Sequence, residues 1–189
     1  MTNRRHSVKK DHERFQVGLL LDALNARHKS DYVVISEPDP PEAIIKSRRT
    51  KRWVEVVTIF LNDDFARDLN SFATEGEQHY SISGTLIVGP DEQFTKRFVS
   101  TVQDKLQKKS YEEFRDSFGP GYLLVSIHNP FFDDNTLTMI QEQWCASKLN
   151  DLRCFRSIYL TYRVEQGYRV RRWVPPQCKQ SEEFEEHAL

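Results

Sequence analysis

The chain has 189 residues, of which 38% are hydrophobic, 29% charged and 12% aromatic, and its net charge is −1. That length and aromatic content supply one domain with a buried core and exclude a chain that is disordered throughout. The near-neutral charge excludes a global basic field of the kind that announces a nucleic-acid partner.

The charge is uneven along the chain. Residues 1–10 hold Arg4, Arg5, Lys9 and Lys10 without an acid, and the last residues hold Glu182, Glu183, Glu185 and Glu186. These ends read as a flexible basic tail over 1–10 and an acidic tail over 177–189, bracketing one domain over 11–176. The three cysteines, Cys145, Cys154 and Cys178, are odd in number and form no C-x-x-C pair, so reduced thiols are expected. No apolar segment follows the first basic residues, and no stretch approaches ~18 uninterrupted apolar residues. A cytoplasmic protein with no membrane span is the expectation.

In chain order, Asp11 to His28 predicts a helix, with Phe15 and Leu19, Val17 and Leu21, and Leu20 and Leu24 four apart. Tyr32-Val33-Val34-Ile35 reads as a short buried strand before a Pro-rich corner, Pro38-Asp39-Pro40-Pro41. Strands over Glu42–Lys46 and Arg52–Ile59 follow, joined by Ser47-Arg48-Arg49-Thr50. A weakly patterned helix over Asn62–Phe72 and a β-rich run over Ser81–Val88 come next. Phe94, Phe98, Val102 and Leu106 at i, i+4 spacing predict one long helix from Asp91 to Phe118, closed by Gly119 and Gly121. Tyr122–Ile127 predicts a central strand and Asp134–Leu149 a helix. Ser157–Val164 and Tyr168–Val174 predict a hairpin around Glu165-Gln166-Gly167. This succession predicts an α/β fold: a single domain with a mixed sheet flanked by helices.

Two acids stand out. Glu42 precedes Ala43-Ile44-Ile45, and Glu55 lies inside Trp53-Val54-Glu55-Val56-Val57, where an acid is costly to bury without a partner or a metal. They are thirteen residues apart, so a hairpin through Lys46–Lys51 sets them near one end of adjacent strands. There they can share a hard cation such as Mg²⁺ or Mn²⁺, with the carbonyl of Val56 at hand. The plain alternative is that Glu55 pairs with an arginine such as Arg14.

The stretches Pro-Pro-Glu42-Ala-Ile-Ile and Trp-Val-Glu55-Val-Val-Thr resemble the PD-(D/E)-x-K nuclease superfamily, with its restriction-endonuclease-like α-β-β-β-α-β core. The resemblance implies a metal-dependent hydrolase of phosphodiester bonds. It assigns metal and catalytic roles to Glu42 and Glu55, with Glu13 on the first helix as an auxiliary acid. Asp39 is a rival to Glu42, sixteen residues from Glu55. The sequence departs from the family in placing Val57 where the lysine belongs. Lys105, one position before the core-facing Leu106, is the replacement the helix offers; Lys46, Lys51, Lys108 and Lys109 are rivals. The second reading is a non-catalytic member of the fold that binds nucleic acid or a protein partner, or pairs as a homodimer.

For DNA or another nucleic acid, Arg48 and Arg49 are expected beside the acids, and Arg169 and Arg171 on one strand face with Trp173 offer phosphate contacts and a stacking ring. An edge strand protected by charge explains the latter equally well. His128 ends the central strand and is expected to be structural, as are Met139, Trp144 and Phe132. No Ser/His/Asp, Walker or Rossmann pattern is legible among the seven glycines. The two readings of Glu55 differ in sign. If it only repels Glu42, Glu55→Gln stabilises the metal-free chain, as the resemblance implies; if it is half of an ion pair with a buried arginine, the same change destabilises.

Overall fold

The computed structural model describes residues 2–48, 50–74, 76, 78–82, 89–146 and 151–176. Its elements are α1 (Thr2–His28), β1 (Val33–Ser36), β2 (Ala43–Lys46), β3 (Lys51–Phe60), α2 (Asp63–Ala73) and α3 (Pro90–Gln107). A 3₁₀ turn (Lys109–Tyr111), α4 (Glu112–Phe118), β4 (Gly121–His128), α5 (Asp134–Ala146), β5 (Phe155–Val164) and β6 (Gly167–Trp173) follow. Among the described residues, six strands form one sheet in the order β1-β2-β3-β4-β5-β6. β1, β2 and β3 run antiparallel, β3, β4 and β5 run parallel, and β6 returns antiparallel to β5. The protein is thus a mixed α/β fold with helices on both faces. No helix among the described residues is long and apolar enough to cross a membrane.

Strand alternation divides the core into two layers. Val54, Val56, Leu124 and Ala43 face Val17, Leu20 and Leu24 of α1. Trp53, Val57, Ile59, Leu123 and Val125 face Phe94, Phe98 and Val102 of α3 and Ile140 and Trp144 of α5. β4 lies between parallel neighbours and is buried from Gly121 to Ile127, as its apolar run predicts. A buried hydrogen bond from Thr161 to Gln16 ties α1 to β5.

Several expectations need correction. α1 begins at Thr2, so residues 2–10 are its first turns and not a flexible tail. β1 is exposed along its whole length rather than buried, because it is the outermost strand of the sheet. Four apolar residues in a row carry no alternation from which to read a face. The long helix over Asp91–Phe118 is broken at Lys108, where the backbone turns extended before the 3₁₀ turn and α4. On an unbroken helix Tyr111 would sit about 140° round from Leu106, away from the core. The break instead buries Tyr111 against Trp53 and Phe155, with ring centroids 5.4 and 5.3 Å away. Cys154 is a buried free thiol, whereas Cys145 is disulfide-bonded, which departs from three reduced thiols. The run 83–88, residues 147–150 and the acidic tail 177–189 lie outside the described residues.

Trp53 sets the height at which the 3₁₀ turn docks. Its indole N–H donates to the Gly119 carbonyl at 2.9 Å, and its ring lies on Gly121, where an added Cβ would meet ring atoms at 2.3, 2.4 and 2.8 Å. A rigid ring packed by Phe114 and Phe155 has no room to yield. Gly121→Ala should therefore lower stability by about 3 kcal/mol, read as a shift of the urea midpoint at unchanged slope.

Candidate functional site

β2 and β3 pair with Ala43 opposite Val54 and Ile44 opposite Trp53. One step further in that register sets Glu42 opposite Glu55, so the two acids do meet. β2 starts at Ala43 while β3 runs on to Phe60, and among the described residues no strand pairs with β3 beyond Glu55 on that side. Glu42 caps this edge: its Oε2 accepts the Val56 N–H at 3.0 Å. Strand pleating turns the Val56 carbonyl to the same side.

Glu55 is 2% exposed and points, like Trp53 and Val57, toward α3. Its Oε1 accepts from the Lys105 ammonium on α3 and from the Tyr111 hydroxyl at 2.6 Å. Its Oε2 is buried and has no donor among the described residues. Glu42 carries the unrelieved charge. Burial, then the negative charge of Glu55 and hydrogen bonding to it, push the Glu42 carboxyl up to about 8, against the opposing pull of the Val56 N–H. Burial, followed by the two carboxylates, likewise pushes the Tyr111 phenol up. With its value near 8, the Glu42 carboxyl holds a proton at neutral pH.

Glu42 and Lys105 line a cleft of about 940 Å³ together with residues of α1, β3 and α2, while the buried Glu55 does not line it. Glu13 of α1 is buried on its wall and pairs with Lys9 at 3.1 Å. Burial lowers the Lys9 ammonium, but the Glu13 hydrogen bond and the charges of Glu13, Asp39 and Glu42 outweigh it and leave the group raised. Farther along β3, His12 and His128 pack at a tilt with 5.1 Å between centroids, and burial pushes both imidazoles down, His128 to about 4.

The structure thus brings Glu13, Glu42, Glu55 and Lys105 together, and it sets the remaining candidates elsewhere. Arg14 is not the partner of Glu55; it pairs with Glu37 at 2.8 Å. Asp39 is exposed at the Pro-rich corner, outside the strand register that places Glu42. Lys46 and Lys51 pair across the far end of the hairpin, with Arg48 in the turn beyond, so this connection is about 13 Å or more from the acids and not beside them. Arg48 is engaged with Asp31 at 2.9 Å, and Arg49 lies outside the described residues. Lys108 sits over the Tyr111 ring at 5.9 Å, and Lys109 is exposed. Arg169 and Arg171 are exposed on β6, with Arg171 3.4 Å from Asp134. Trp173 is buried against Phe98 and Trp144 and offers no stacking surface. Tyr111 is the site residue that periodicity concealed, since it reaches Glu55 only through the helix break.

The donor set suits a hard cation: two carboxylates, one oxygen of which lacks a donor, and a main-chain carbonyl, with water for the rest. No group of three or more His, Cys, Asp or Glu side chains arranged to hold a metal occurs among the described residues.

Two signs follow for the metal-free chain. Glu42 has its folded value raised above the unfolded one, so stability is full below about pH 4.5 and is lost as pH rises toward about 8. Glu42→Gln should remove that loss and raise the melting temperature at pH 8 in EDTA. Glu55→Gln should instead destabilise by about 1–3 kcal/mol, because it leaves the Lys105 ammonium without its anion. Melts in EDTA from pH 5 to 8.5 read both. A rise for Glu55→Gln would restore the purely repulsive reading. No protein-family model, curated protein or solved structure matches the chain, so the chemistry of the site is read from its own residues.

Proposed function

We propose that the chain is a metal-dependent nuclease of the PD-(D/E)-x-K kind, cleaving phosphodiester bonds of nucleic acid with Mg²⁺ or Mn²⁺. The observation that carries the reading is that Glu42 and Lys105 line one cleft and that the buried Glu55 meets both, opposite Glu42 in the strand register and ion-paired with Lys105. The succession α1-β1-β2-β3-α3-β4 supports it, being the α-β-β-β-α-β order that the sequence resemblance implies, with α2 as an addition. Glu42 and Glu55, with the Val56 carbonyl, would hold a divalent cation, which would supply Lewis-acid polarisation of the phosphoryl oxygens and a more acidic water. Lys105 supplies from α3 the ammonium that Val57 lacks. Positioned there, it orients the attacking water and offsets negative charge building on phosphorus. Tyr111 holds Glu55 in place, and Glu13 with Lys9 sets the charge of the opposite wall.

The second reading, a non-catalytic scaffold that binds nucleic acid or a protein, draws on one observation: Lys105 and Tyr111 already satisfy one oxygen of Glu55, as a structural ion pair would. The two diverge in an assay over single-stranded, duplex and branched substrates with added Mn²⁺. Cleavage should fall about 100-fold or more in Lys105→Met while Mn²⁺ binding by calorimetry persists, and both should vanish in Glu42→Gln. Absence of cleavage and of millimolar Mn²⁺ binding in the wild type would leave the scaffold reading.

A further inference from the structure

The cleft does not end at the carboxylates. It follows β3 for about 13 Å from Val56 to Phe60, and its character changes along the way. Phe60 and His128 sit at the far end with ring centroids 5.1 Å apart, and His12 packs against His128 at a tilt. With both imidazoles pushed toward the neutral form by burial, this wall is an uncharged aromatic surface. α2 and the segment after it add Phe72, 76% exposed, and Tyr80, 46% exposed. The Tyr80 N–H donates to Ser71 Oγ at 2.9 Å, which fixes this segment to α2. Large rings left in water at the rim of a cleft mark a ligand surface rather than a core.

We infer that this aromatic end receives an unpaired nucleobase, so that the substrate of the proposed nuclease is a single strand or the frayed part of a duplex. The inference rests on the nuclease reading, which places a phosphodiester at Glu42 and Glu55. A strand anchored there and running along β3 brings its bases to Phe60, Phe72 and Tyr80. In an intact duplex each base face is covered by its neighbours, and rings inside a cleft reach it only after unstacking. The charges agree. Tracking a duplex backbone calls for a stripe of free cations, yet Arg48 and Arg171 are paired with Asp31 and Asp134 and the chain is near neutral. Affinity then draws on stacking, which tolerates any base sequence.

The test uses a short single-stranded oligonucleotide containing 2-aminopurine, as DNA and as RNA, with the full chain in EDTA at pH 6.5. With EDTA no metal is present to cut the strand. Wild type should quench the fluorophore on binding, and Phe72→Ala and Tyr80→Ala should each weaken binding about five-fold or more, with little change in melting temperature because both rings are exposed. The same sequence as a duplex should compete about ten-fold less well. Unchanged affinity in both variants, equal competition by duplex, or no quenching by either strand overturns the inference. Mn²⁺-dependent hydrolysis of bis(p-nitrophenyl) phosphate, too small to use the aromatic wall, reads the carboxylate centre alone. Hydrolysis with unaltered oligonucleotide binding in the variants removes the stacking site only, and absence of hydrolysis in wild type removes the nuclease reading itself.

Discussion

An ionised carboxylate inside a Trp/Val strand is the constraint around which the rest is built. Glu55 loses nearly all its water, and a bare charge so placed costs several kcal/mol after relaxation. Lys105 and Tyr111 offset that cost, and they reach Glu55 from opposite sides of a break in the chain. α3 has to stop at Gln107 so that the 3₁₀ turn can swing Tyr111 under Trp53. Trp53 in turn demands a glycine at 121 and a carbonyl at 119. Remove the acid and this corner of the fold has no reason to take its shape.

Glu42 is the member that stability alone does not explain. It lies where β2 ends, satisfies one N–H of an otherwise open edge, and is left opposite a second acid with no cation of its own. An apolar residue there would be cheaper for the fold. A group held in an unfavourable charge state beside a cleft is a signature of a site, because the strain is released only when the missing charge arrives. Glu55 thus has a structural role that its partners account for, while the fold alone gives no reason for Glu42.

Much of this was legible in the chain. The thirteen-residue spacing of Glu42 and Glu55 survives because a tight hairpin fixes register, and a register slip would send both acids to the other face. Lys105 was legible from helix phase, one step from Leu106. Tyr111 was not, since no periodicity foretells where a helix breaks for the sake of a buried acid. Nor was the exposure of β1, because Val33, Val34 and Ile35 look the same in a buried strand and at a sheet edge. The aromatic wall was hidden for another reason. Its residues come from α1, β3, α2 and β4, and only the fold places Phe60 beside His128 and within one cleft with Tyr80.

The central claim is that Glu42 and Glu55 form one cation site in which a proton stands in for the metal. Calorimetric titration with Mn²⁺ at pH 7, repeated in two buffers of different ionisation enthalpy, counts the protons released on binding. With Glu42 pushed up to about 8, close to one proton per Mn²⁺ should leave, and the release should fade above about pH 9. Binding without proton release, or release that persists in Glu42→Gln, would contradict the shared site.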